Sequence, residues 1–259
     1  MKITNKHNLP APLYTTICRA VEMYEGPKAA EVLSSRTISV TTLINPPRLT
    51  LLRAWHDTNL EVDAADMLYM VQGIAFHYMM ADVGFMEDGG VVFTEIRESR
   101  FVNGWKISGQ FDVLDGTVLA DWKWTSIWSL ITPKFEWDAQ LNLYAWLALN
   151  RGITVDGVRT WAMLRDWSNA KALKDKRLPP IAFADVERPL WAPEVTEAYI
   201  ATRISVYEDA VRIVNSTGNG NAVPVCNPEE RWNRKGVDVR CAQYCDVARF
   251  CAFGKTVIE

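Results

Sequence analysis

Residues 105–124, WKISGQFDVLDGTVLADWKW, restrict the possible folds more than any other stretch of this chain. Apolar and polar residues alternate on both sides of Asp115-Gly116. An Asp-Gly pair is a strong hairpin signal, because a type I′ turn needs positive φ at both central positions. With those two residues as the loop, Leu114 faces Thr117, Asp112 faces Leu119 and Gln110 faces Asp121. Strand side chains alternate, so Asp112, Asp121 and Lys123 emerge on one face of the pair. Trp105, Ile107, Phe111, Val113, Val118, Ala120, Trp122 and Trp124 collect on the other, which is the expected core face.

Two carboxylates set diagonally across a strand pair have Cβ atoms about 6–8 Å apart. They raise each other's pKa unless a cation sits between them, and hard oxygen donors suit Mg²⁺ or Mn²⁺. A salt-bridged Asp–Lys pair on a solvated sheet face is the plainer alternative for an isolated D-x-K.

The flanking sequence places this hairpin in an α/β fold. Helical spacing of Met67, Met70, Val71, Ile74 and Tyr78 predicts a helix over 62–82, carrying His77. Strands follow from about 91 to 124. A helix is expected over 133–150, with Thr132 as N-cap, Pro133 in its first turn and Gly152 as its stop. GVRTWAMLRDW reads as a further strand, and 193–215 as a long helix with Val195, Tyr199, Ile204, Val206, Val211 and Ile213. This order predicts a central mixed β-sheet flanked by helices. Turn signals fall near 45–49, 86–90, 175–180 and 216–224. The last separates a body, residues 1–222 with a helical N-terminal region, from a cysteine-rich segment, 223–259, expected to pack on the same domain.

Composition narrows the function classes. The 259 residues are 49% hydrophobic, enough for a core without disulfides. No apolar run reaches the roughly 18–20 residues of a membrane span, and the polar start MKITNKHN has no signal-peptide core, so a cytoplasmic protein is expected. A net charge of −3 does not advertise a nucleic-acid binder. A local patch over 159–177 sets six Lys/Arg against two Asp, with Trp161 and Trp167 among them; a solvated loop explains it equally well. Cys226, Cys241, Cys245 and Cys251 fall close together, whereas Cys18 lies apart on an apolar-spaced segment and reads as a buried thiol. Such a cluster in a cytosolic chain points to a metal or iron–sulfur site, and four thiolates suit [4Fe–4S] or tetrahedral Zn²⁺ alike.

The order of these pieces resembles the PD-(D/E)XK nuclease superfamily, in the RecB-like branch that includes phage-type exonucleases and the CRISPR adaptation nucleases. The matching pieces are GIAFH with His77, GQFD with Asp112, DWK with Asp121 and Lys123, QLNLY with Gln140 and Tyr144, and the tail RCAQYCDVARFC. The resemblance implies a restriction-endonuclease-like core and a metal-dependent DNA nuclease, an exonuclease of phage-type recombination or DNA processing. It implies that His77, Asp112, Asp121 and the carbonyl of Trp122 hold Mg²⁺ or Mn²⁺, and that Lys123 orients the attacking water and neutralises the scissile phosphate. Gln140 and Tyr144, one turn apart, would contact DNA or brace the site; a satisfied buried polar pair is the alternative. Glu95 reads first as a solvated strand residue and second as a ligand to another metal.

The resemblance also implies a [4Fe–4S] cluster, with Zn²⁺ as the alternative, on Cys226, Cys241, Cys245 and Cys251. The sequence departs from the family plan here. ISVTTLINPPRLTLL resembles the region of an N-terminal cysteine ligand but has no thiol. DNA is the implied partner and a single-strand annealing protein a further candidate, in a host cytoplasm if the chain is phage-encoded. Two other readings remain open at this stage: a catalytically silent DNA-binding or scaffold module, and a redox iron–sulfur protein.

Overall fold

The computed structural model describes residues 1–24, 35–82, 92–132 and 134–259. In chain order these form β1 (Lys2–Thr4), α1 (Ala11–Tyr24), β2 (Thr37–Ser39), α2 (Val40–Leu43), α3 (Pro47–Trp55), β3 (Glu61–Asp63), α4 (Leu68–Asp82) and β4 (Val92–Val102). Next come β5 (Trp105–Asp115), β6 (Val118–Thr125), α5 (Ile127–Ile131), α6 (Phe135–Ala148), β7 (Gly157–Leu164), α7 (Asn169–Lys174), β8 (Phe183–Arg188) and α8 (Pro193–Thr217). The tail holds β9 (Asn233–Arg234), β10 (Val237–Asp238), α9 (Val239–Gln243) and α10 (Ala252–Ile258). Among the described residues, no helix is long and apolar enough to cross a membrane.

A mixed sheet runs β2-β5-β6-β7-β8, with β4 paired along the other edge of β5. The β4–β5 hairpin closes at Asn103-Gly104, both at positive φ as a type I′ turn requires. On its second edge, β5 pairs in parallel with β2 at residues 106–108 and antiparallel with β6 at 113–115. Residues 109–112 lie between those two partners, and the sheet splits there. α6 and α8 pack on one side, where Phe111, Leu119, Leu143, Tyr144, Leu147, Ile200, Ile204 and Tyr207 join one core. α4 lies against β6, with Phe76 5.7 Å from the rings of both Trp122 and Trp124. An α/β fold with a mixed central sheet flanked by helices is therefore what the chain adopts.

Several local expectations change. The β5–β6 loop is Gly116-Thr117, with Asp115 paired to Val118 and Gly116 at φ +59 in the first central position, as in a type II′ turn. The register shifts by two, so Leu114 faces Leu119 and continuing the pairing sets Asp112 opposite Asp121. An even shift keeps both acids on a common face in a regular strand. The apolar face also differs: Phe111 and Leu114, three residues apart, both enter the same core, so the alternation breaks between them at Asp112. Because β6 lies inside the sheet, both its faces are covered. Leu119 and Asp121 are buried toward α6, while Trp122 and Trp124 are half-buried against α4.

The helix expected over 62–82 begins at Leu68, after a short strand and a 3₁₀ turn; Met67 is buried, but Met70 and Tyr78 are exposed. Thr132 ends α5 instead of capping α6, whose N-cap is Lys134 without a side-chain bond. Pro133 and the turn at 86–90 lie outside the described residues. Gly152 does stop the helix, at φ +75. Pro47 starts α3, so the loop at 45–49 is shorter than expected. Cys18 is half-buried on α1. Within the 159–177 patch, Arg159 pairs with Asp185, Lys171 with Asp166 and Arg177 with Asp175, which neutralises much of its charge.

Gly109 sits in the split, and a Cβ there would stand 2.8 Å from the Tyr144 ring and 2.9 Å from Leu147. Gly109→Ala is expected to push α6 off the sheet at a cost of about 1–3 kcal/mol. A thermal melt checks this: a fall in Tm of several degrees is expected, and an unchanged Tm counts against the contact.

Candidate active site at the split of the sheet

The break in β5 determines which side chains converge. Asp112 stands where the β5–β6 ladder stops, and its Oδ2 accepts the Trp122 N–H at 2.8 Å. The carboxylate thus replaces a missing strand partner and is fixed in orientation. The β4–β5 ladder skips one pair, between Thr94–Val113 and Ile96–Phe111, where Glu95 falls opposite Asp112, and Glu95 has φ +54, a region that costs a non-glycine residue strain. His77 reaches the same place from α4. One ligand atom from each of His77, Glu95 and Asp112 lies within 4.8 Å of the other two, the one such trio among the described His, Cys, Asp and Glu residues.

Asp121 and Lys123 enter from β6. Asp121 is buried at 2% exposure; its Oδ2 has the Lys123 Nζ at 2.5 Å and no aligned hydrogen bond. Lys123 Nζ also donates to Gln140 Oε1 at 3.0 Å, and Gln140 Nε2 donates to the Tyr144 hydroxyl at 3.0 Å. Lys123, Gln140 and Tyr144 therefore form one relay from strand to helix. Tyr144 is buried, and burial pushes its phenol up, so it stays protonated. Gln110 Nε2 donates to Glu95 Oε2, which anchors the residue whose role the sequence left open.

The electrostatics of these groups suit a cation held among them. The Asp112 side chain is 11% exposed, and its carboxyl is held well above the usual carboxylate range, first by burial and then by Asp121. His77 is pushed below its ordinary value, chiefly by burial, so the imidazole is neutral at pH 7 with a lone pair to offer. The 3.6 Å approach of His77 Nδ1 to Asp112 Oδ2 is consequently not an ion pair. A cation would satisfy both at once.

A pH effect on stability follows. A carboxyl with a raised folded pKa holds its proton more tightly folded than unfolded, so its contribution is complete below the unfolded pKa and lost as pH rises through the folded one. In EDTA, Tm is expected to fall as pH rises past the ordinary carboxylate range. Mn²⁺ should restore it at the high end by binding the folded state, and Asp112→Asn should flatten the profile. A wild-type Tm insensitive to Mn²⁺ at every pH would contradict this.

The thiol-rich site is separate. Cys226, Cys241, Cys245 and Cys251 line one cavity with Arg48, Leu49 and Leu52 of α3. Burial pushes Cys226 up to about 12 and Cys241 up to about 11, and the neighbouring thiols add to this in each case. Arg48 is buried and donates Nε to Cys251 Sγ at 3.2 Å. It lies in the segment where the resemblance expects a cysteine. Nothing in the sequence marks Arg48, and Glu95 carries a metal-ligand role there only as its second reading, although the Asn103-Gly104 turn fixes the register that sets Glu95 opposite Asp112.

No protein-family model matches the chain, and no curated protein matches it. Among solved structures, an alkaline exonuclease, LHK-Exo, from Laribacter hongkongensis aligns at TM-score 0.42 and 14% identity, over 74% of this chain and 96% of that one. The crystal structure of SSO0001 aligns at TM-score 0.58 and 17% identity, over 95% of this chain and 98% of that one. At that identity, what this chain shares with SSO0001 is its fold.

Proposed function

We propose that this chain is a Mg²⁺- or Mn²⁺-dependent deoxyribonuclease, acting as an exonuclease in phage-type recombination or DNA processing. The supporting observation is the convergence, at the split of one sheet, of a His77–Glu95–Asp112 donor trio with the Asp121–Lys123 pair. Neutral imidazole and carboxylate oxygens form a donor set suited to a hard divalent ion. Bound there, such an ion would polarise the phosphodiester and lower the pKa of a hydrolytic water.

The chain's own residues do the rest. Asp112 is oriented by the Trp122 N–H, and His77 and Glu95 complete the trio. Asp121 holds the Lys123 ammonium through its Oδ2, and were this carboxylate to turn to a divalent ion, Lys123 would be free to face substrate. Lys123, steered by Gln140 and Tyr144, neutralises charge on the scissile phosphate and orients the water. Glu95 thus replaces its first reading as a solvated strand residue. We propose further that the four tail thiols hold a [4Fe–4S] cluster, with Zn²⁺ as the alternative, and that this metal is structural. The protonated thiols must ionise to bind it, so loading is favoured at high pH.

End-labelled linear DNA incubated with Mg²⁺, Mn²⁺ or EDTA tests the enzyme reading. Divalent-dependent release of nucleotides is expected from the wild type. Intact DNA under every metal condition would leave a binding module in its place. Iron and zinc content of anaerobically purified protein, with its visible spectrum, distinguishes the tail metals.

A further inference from the structure

A second feature lies outside the acidic site, where the α5–α6 junction meets the cysteine-rich tail. Trp128 on α5 is 58% exposed, and the Arg234 guanidinium lies 5.1 Å from its ring centroid. Arg234 is held by a tight hairpin, β9–β10, whose turn residues Lys235 and Gly236 both have positive φ. Two residues earlier, Trp232 has Lys134 Nζ 3.7 Å over its ring and the Arg240 guanidinium at 5.1 Å. Tyr244, 62% exposed, packs 5.5 Å from Trp232. Rings and cations thus alternate along one strip, each cation–ring contact within reach of a favourable interaction.

Two cations of this strip, Lys134 and Arg234, are not paired locally. Glu136 is occupied by Trp232 Nε1 at 2.7 Å and by Arg240 at 3.5 Å. Glu230 pairs with Arg203 and Asp238 with Arg231. Among the described residues, no carboxylate lies within 4.0 Å of the Lys134 ammonium or the Arg234 guanidinium. Lys134 is also the N-cap of α6, the helix whose Gln140 holds Lys123. Burial lowers its pKa; Glu136 opposes this, and Arg240, Arg234 and Lys123 lower it further. Their fields meet at Lys134, where an anion would relieve the repulsion.

We propose that this strip binds a single-stranded segment of nucleic acid, with phosphates on Lys134 and Arg234 and bases stacked on Trp128 and Tyr244, leading the strand toward Lys123. Exposed rings interleaved with unpaired cations match the alternation of base and phosphate in a single strand. A duplex buries its base faces and cannot use the rings. The inference rests on the nuclease reading only for the strand's destination, and it specifies that reading by making single-stranded ends the preferred substrate. The 159–177 patch is a poorer candidate, since its cations are largely paired with acids of the same region.

Fluorescence anisotropy of the full-length, metal-loaded protein with Ca²⁺ in place of Mg²⁺ tests this, using a labelled oligothymidylate and a blunt duplex of equal length. Oligothymidylate is expected to bind about tenfold tighter than duplex. Trp128→Ala and Tyr244→Ala should each weaken it about tenfold with unchanged melting, as expected for loss of one stacked base. Lys134→Gln and Arg234→Gln should each reduce the slope of log affinity against log salt by about 0.7, while Lys171→Gln in the paired patch leaves it unchanged. The proposal is overturned if both ring variants bind oligothymidylate within about twofold of wild type, or if duplex binds equally well. Wild-type protein that binds as expected but never cuts with Mg²⁺ or Mn²⁺ would sink the nuclease reading and leave the strip standing.

Discussion

Asp121→Asn and Lys123→Ala are each expected to reduce DNA hydrolysis by about a thousandfold or more while leaving the fold intact. The estimate follows from the several kcal/mol that a divalent ion and a paired cation supply to a phosphoryl transition state, at tenfold per about 1.4 kcal/mol. Asp121 is the more diagnostic of the two, because asparagine is isosteric and keeps the buried volume. It also frees Lys123 from its 2.5 Å partner, leaving the ammonium on Gln140 alone. Double substitution should cost little more than either single change, since residues acting as a unit are not additive. Circular dichroism and melting confirm the fold, and labelled linear DNA with Mn²⁺ gives the rate. Retention of more than about a tenth of wild-type activity by both variants would place the chemistry elsewhere.

The neighbourhood of Asp112 shows how far sequence alone reached. The Asp115-Gly116 signal located the hairpin and the common face of Asp112 and Asp121, because parity survives a shift of two residues. It missed the loop by one position, since glycine alone at positive φ suffices for a type II′ turn. The interruption at Asp112 left no local signal: a strand that switches neighbours from β2 to β6 does so through tertiary pairing. That same interruption lets Asp112 cap the Trp122 N–H and sends Phe111 and Leu114 to one core. Glu95 was within reach, because a second turn, Asn103-Gly104, fixes its partner. β2 and β8, a three-residue and a six-residue strand, carry patterns too short to distinguish from loops.

Arg48→Met is expected to lower Tm by about 10 °C and to abolish loading of the metal proposed for the tail. The guanidinium is 4% exposed and donates to four acceptors: Cys251 Sγ at 3.2 Å, Val223 O at 2.5 Å, Asn221 O at 3.3 Å and Asn221 Oδ1 at 2.8 Å. Asn221 in turn accepts the Ala252 N–H at 2.7 Å and donates to Phe250 O at 2.9 Å, so one side chain orders both approaches to Cys251. Methionine fills the volume but removes these donors: the buried Val223 O loses its partner at about 1–3 kcal/mol where water cannot replace it, the part-buried Cys251 Sγ and Asn221 O lose less, and Asn221 Oδ1 keeps the Ala252 N–H. Together these losses come to about 3–5 kcal/mol, and a chain of this size loses about 2–4 °C per kcal/mol. Where the resemblance places a cysteine ligand, this chain ties α3 to the tail through a cation, which also offsets the charge of ionised thiols. Arg53, bidentate on Asp246 at 2.8 and 2.9 Å, and the His56–Phe250 stack at 4.1 Å hold the rest of the tail, so the fold should persist without Arg48. Lysine keeps the charge but cannot span four acceptors, so Arg48→Lys should recover metal content only in part. Melting curves with iron and zinc analysis decide the matter; an Arg48→Met protein with full metal and a Tm within about 1 °C of wild type would show that the thiols alone hold the tail.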